Sequence, residues 1–265
     1  MNKLAFLAPL LLILVSCNQV IGPGDPPVAT DTVTMWLAAD KDAMVSCGRT
    51  GSCEEGDLNF GQHGTIAAAH WELARKQVYL HFTIPNLPPG TEIIDAYIEV
   101  FHPGKNEDGK RDDIDMPLMR AQAPWSPMTL TWRNQPNVDP LAQESYIRLR
   151  SQAWSGSPDV ASLVRPWFER PADNYGMMLY WRNSLGLGVE KGFYSNNDIR
   201  RTQTDMGLSP RLLVRIKLPA GTSTRDITMP FLPSDTDLDQ PRPITMVLMR
   251  QGGTWPVDWN VAPKQ

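Results

Sequence analysis

The sequence is poor in the residues that carry out chemistry. Its 265 residues include three cysteines and four histidines. It has no GxSxG elbow, no HExxH, no phosphate-binding P-loop and no dinucleotide fingerprint after a strand, which removes the hydrolases, zincins, nucleotidases and dehydrogenases that carry those signatures. His63, His70, His81 and His102 are not spaced as metal ligands, so each is expected to be solvated or hydrogen-bonded. The carboxylate pairs Glu54/Glu55 and Asp112/Asp113 are sequence neighbours. Glycosidases need two carboxylates held across a cleft, so these pairs are read as solvated. Helical periodicity is also scarce and appears in one short segment.

Positive charge is the minority sign, with 25 Lys and Arg against 29 Asp and Glu. Nucleic-acid binding depends on cations neutralising phosphates, so no nucleic-acid partner is expected. The longest apolar run is Leu4–Val15, preceded by Lys3 and followed by Ser16 and Cys17. It is too short to span a bilayer and reads as a targeting signal. The Leu14-Val15-Ser16-Cys17 end resembles the lipobox of bacterial lipoproteins. That resemblance implies cleavage before Cys17, lipidation of its thiol and acylation of the new amino group. Several acyl chains anchor stably where one is marginal. Asn18, rather than Asp, favours export to the outer membrane. Losing residues 1–16 removes Lys3 and leaves 24 basic against 29 acidic side chains, net −5.

Two cysteines then remain, Cys47 and Cys53, bracketing a short Gly-rich loop. Outside the cytoplasm such a pair is expected to oxidise, stabilising the fold by about 2 kcal/mol through loop closure. A zinc site is the alternative, weakened by the lack of a second pair.

Residues 17–30 form a Pro/Gly tether. Short alternating segments then recur to about residue 218, as expected of half-buried strands. They cover 32–37, 65–71, 77–84, 94–101, 114–121, 128–133, 146–150, 176–182, 192–195 and 211–218. Val78, Leu80 and Phe82 form one face of theirs, with Tyr79, His81 and Thr83 opposite. Ile94, Ala96, Ile98 and Val100 are assigned inward, leaving Tyr97, Glu99 and Phe101 outward. Leu87-Pro88-Pro89-Gly90 reads as a type II turn. Val160, Leu163, Val164 and Trp167 are spaced as one helix, capped by Asp159 or Ser162 and shortened or kinked by Pro166. This pattern predicts an all-β protein, an antiparallel β-sandwich (jelly roll) with one short helix. The domain is placed at 31–219. In the C-terminal extension 220–265, Ile244–Met249 offers one further strand.

The motifs also follow a family order. Asp31-Thr32-Val33, Asn59-Phe60-Gly61 and the Val78–Ile84 strand with its Pro-Gly turn come first. Trp125, Thr131-Trp132 and Asn134-Gln135-Pro136 form the most specific block. Asp159-Val160 with Leu163-Val164 and Trp167, Asn174-Tyr175-Gly176, Phe193-Tyr194-Ser195 and Ser209–Val214 complete the series. Over residues 31–218 this resembles the DNRLRE domain family, which includes carbohydrate-binding modules of the family 96 kind. The resemblance implies a β jelly roll and, from characterised relatives, binding of an anionic polysaccharide such as alginate. Two features depart from the family pattern: Pro166 inside the helix, and the longer Lys41–Asp57 segment that holds the cysteines.

Strand alternation supplies the candidate ligand residues. Tyr146, Arg148 and Arg150 alternate with apolar Ile147 and Leu149, while Tyr180 and Arg182 share a face opposite Leu179 and Trp181. Tyrosine rings suit sugar C–H faces, and guanidinium groups pair with carboxylates. The expected protein is a lipid-anchored envelope component that binds polysaccharide without catalysis and needs no cofactor. An envelope assembly module contacting protein is the alternative, and a polysaccharide lyase a more distant one. Asn106–Asp115 offers oxygens for a structural Ca²⁺ but lacks a regular ligand spacing.

Overall fold

A computed structural model describes residues 32–48, 52–70, 75–102, 114–139, 146–149, 153–180, 189–195, 208–230 and 246–250. The strands are β1 (Thr32–Ala38), β2 (Lys41–Ser46), β3 (Thr65–His70), β4 (Arg75–His81), β5 (Glu92–His102) and β6 (Ile114–Arg120). They continue with β7 (Tyr146–Leu149), β8 (Ala153–Gly156), β9 (Met177–Tyr180), β10 (Val189–Tyr194), β11 (Arg211–Lys217) and β12 (Met246–Arg250). The helix α1 (Ala161–Glu169) lies between β8 and β9. Two antiparallel sheets form. The five-stranded one has the order β12-β1-β11-β5-β8. The seven-stranded one runs β10-β3-β4-β9-β6-β7, with β2 also paired to β4. The chain crosses repeatedly between the two, so this is the expected all-β sandwich.

The core lies between the inner faces. Val33, Met35 and Leu37 of β1, Leu212, Val214 and Ile216 of β11 and Ile98 and Val100 of β5 come from one sheet. Val78, Leu80, Met116, Leu118, Met177 and Leu179 come from the other. Each such side chain contributes roughly 1.5–3 kcal/mol by leaving water. The helix adds Leu163, Val164 and Trp167, the residues its spacing predicted. Asp159 Oδ1 accepts from the N–H of Ala161 at 2.8 Å and from that of Ala96 at 3.0 Å, tying the helix start to β5. Pro166 stands inside the nine-residue helix. The cysteines are bridged, Cys47 to Cys53. Gly90 has the positive φ, 84°, that the Pro-Gly turn requires. β12 pairs with β1 along Val33–Leu37, so the extension does supply a strand.

Three expectations need correction. Met128–Arg133 is no strand; it consists of turns, for a reason given below. β2 was missed because its burial leaves almost no alternation, with five of its six residues buried, and β8 because it is four residues long. Ile94 does not face the core. The register passes from Arg215↔Asp95 to Ile216↔Ile93, so Ile94 is the extra residue of a bulge. The bulge turns Ile94 outward, 37 % exposed, and puts Ile93 inside.

Candidate functional site

The two outer faces of the sandwich differ. On the seven-stranded sheet the outward positions Ala43, Val45, Tyr79, Met119 and Met178 are buried, together with Leu130, as a second apolar cluster. Trp125, Trp132, Val138, Tyr175 and Tyr180 pack around it. The cover is the segment from Gln122 to Val138, which contains the tryptophan block. Its backbone carbonyls are held by side-chain amides: Asn59 Nδ2 donates to Pro127 O at 2.7 Å and to Leu130 O at 2.8 Å. Asn134 Oδ1 accepts from the Thr131 N–H at 2.6 Å, and its Nδ2 donates to Thr129 O at 2.8 Å. Carbonyls held this way are not available to a strand ladder, which is why the alternation at 128–133 misleads.

Tyr79 therefore does not look into solvent as its outward position predicts, whereas His81 is hydrogen-bonded, one of the two states expected of it. Tyr79 is fully buried, its ring 5.6 Å from that of Trp125 and its hydroxyl donating to Gln135 Oε1 at 3.0 Å. Burial raises its phenol well above the ordinary value, so it stays protonated. His81 Nδ1 lies 2.8 Å from Asp40 Oδ1, and its Nε2 lies 3.1 Å from the Asn174 carbonyl. Other family motifs are fasteners of the same kind. Asn174 Nδ2 donates to Phe82 O at 2.8 Å, and the Ser195 hydroxyl donates to buried Asp42 at 2.6 Å.

The outer face of the five-stranded sheet carries half-buried side chains instead: Trp36, Tyr97, Phe101, Trp154, Arg211 and Leu213. Trp36, Leu213 and Tyr97 lie opposite one another across β1, β11 and β5, and Phe101 lies opposite Trp154. The Arg211 guanidinium sits 4.8 Å from the Trp36 ring and 3.7 Å from that of Trp154. Its Nε donates to Glu99 Oε2 at 2.6 Å. The Phe101 ring is 5.6 Å from Trp154 and 6.0 Å from Tyr194, stacked on the latter at 17°. Arg215 pairs with Asp95, opposite it on β5. Burial, then the Asp95 and Asp159 charges, raise the Tyr97 pKa against the opposing effect of Arg215.

The sequence candidates fall elsewhere. Tyr146 and Arg148 lie on β7, opposite Pro117 and Asp115 of β6, with their side chains outside the described residues, as are Arg150 and Arg182 altogether. Ile147 between them is in the core as expected. Tyr180 is half-buried at the margin of the covered cluster. The strands that carry Tyr146, Arg148 and Tyr180, β7 and β9, flank β6 on its two sides. The Trp36–Arg211–Trp154 group was missed because no local pattern joins residues on three strands. Outward Trp36 between inward Met35 and Leu37 was the one local signal. Among the described residues no three His, Cys, Asp or Glu side chains gather as a metal site. Most of the calcium candidate Asn106–Asp115 lies outside those residues, as does Cys17.

The model of carbohydrate-binding module family 96 matches residues 33–197. No curated protein matches the sequence.

Proposed function

The chain belongs to carbohydrate-binding module family 96, and from that premise we propose that it is a lipid-anchored envelope protein that holds an anionic polysaccharide without turning it over. The observation that carries this reading is the row of half-buried rings Trp36, Trp154 and Phe101 on the outer face of the five-stranded sheet, with Arg211 set against both indoles. Rings on a rigid sheet offer flat apolar area at low entropic cost, which suits the C–H faces of sugars. The preference for acidic polymers rests on the arginines. Arg148, Arg150 and Arg182 add charge that a uronate polymer would meet. Cys17 supplies the anchor and residues 18–30 the reach.

Titrating the intact chain with neutral and acidic polysaccharides tests this. Acidic polymers are expected to bind, more weakly as salt rises because exposed charge pairs are screened, and with no shortening or unsaturated product. Indifference to every glycan would favour the assembly role, and product formation would favour a lyase.

A further inference from the structure

We infer that the outer face of the five-stranded sheet is the carbohydrate platform, and that it reads the C–H faces and hydroxyls of the sugar ring rather than its carboxylates. This rests on the carbohydrate-binding reading above and specifies its site.

Five side chains touch in sequence across that face: Trp36, Arg211, Trp154, Phe101 and Tyr194. The first four come from β1, β11, β8 and β5 of that sheet, and Tyr194 meets Phe101 from β10 of the other sheet, so the row crosses strands rather than following one. Each is half-buried, held sideways by its neighbours, and little order remains to be imposed when a ligand arrives. On the opposite sheet Tyr79 is fully buried beneath Gln122–Val138, and Trp125, Trp132, Tyr175 and Tyr180 are half-buried because they pack onto that apolar cluster. A row of aromatic rings left half-open is what a ligand site requires.

The charges decide what the row reads. Arg211 is stacked between two indoles and already neutralised by Glu99, and Arg215 is neutralised by Asp95 in a second pair on the same face. A guanidinium has five N–H donors, and Nε of Arg211 is committed to Glu99. Its remaining donors lie beside a carboxylate acceptor. A hydroxyl both donates and accepts, so it satisfies such a pair. A uronate oxygen only accepts, and it would approach Glu99 against like charge. Carboxylates of an acidic polymer are therefore met elsewhere, by the arginines proposed above.

The test uses polymannuronate and polygalacturonate, each as the free acid and as the methyl ester. Trp36→Ala and Trp154→Ala are expected to weaken binding of acid and ester alike by about tenfold, as truncation of a central aromatic contact does. The salt dependence of the residual binding should stay that of the parent. Arg211→Lys, which keeps the charge and loses the plane, should also weaken both forms. Indole fluorescence of the parent should change on titration, a readout that needs no variant. Variants that bind like the parent would overturn the platform and leave the family function standing, and so would variants that lose the acid alone. A parent that binds none of the four polymers would overturn both.

Discussion

Gly61→Ala is expected to cost about 3–5 kcal/mol of folding stability. A methyl group at Gly61 would overlap the carbonyl of Pro127, a backbone group with no rotamer to escape into. Moving Pro127 would break the hydrogen bond from Asn59 to its carbonyl and, as the loop shifts, the one from Asn59 to Leu130 O, each worth about 1 kcal/mol. It would also lift Leu130 from the second cluster, where it is 2 % exposed, at roughly 2 kcal/mol more. Gly221→Ala is the control. Nothing lies within 4 Å of a Cβ there, but φ is +82°, so about 1 kcal/mol should be lost through backbone strain alone. Denaturant titration reads both as a lower midpoint with the slope kept. A Gly61→Ala protein as stable as Gly221→Ala would mean that the tryptophan loop is not fixed at this contact.

Cys17→Ser is expected to move the protein entirely from the membrane to the soluble fraction. Each buried methylene of an acyl chain is worth about 0.8 kcal/mol, and stable anchoring takes more than one chain. On the proposed reading, a chain without the thiol has no group to carry the diacylglycerol. Among the described residues no helix is long and apolar enough to hold the chain in a bilayer instead. Fractionation with a fatty-acid analogue should show the label lost and polysaccharide binding retained. A serine variant that is still labelled and membrane-bound would refute the anchor.

The sequence carried the sandwich because burial on one face writes itself as alternation, as in Val78, Leu80 and Phe82, all in the core. It could not show what covers the other face. Tyr79 has the polar tip of an outward residue, yet it is buried under a loop that begins more than forty positions later. Ile94 continued the period, and only the bulge against β11 shows that the period slips there. Asp42 reads as a surface residue until Ser195 arrives from β10's end to bond it. The family motifs were visible, and in the structure Asn59, Asn174 and Ser195 act as fasteners. They reported the fold rather than the ligand. The platform itself depends on which strands lie side by side, which no local pattern encodes: Arg211 meets Trp36 and Trp154 only because β11 lies between β1 and β5, with β8 beyond.

The most direct measurement is oxidative footprinting of the tryptophans in the intact chain, with and without a bound acidic polysaccharide. Trp36 and Trp154 should be protected by the ligand, and Trp125 and Trp132, which pack against the covered cluster, should react at the same rate in both states. Protection confined to Trp125 and Trp132, or unchanged reactivity at Trp36 and Trp154 under saturating ligand, would contradict the account.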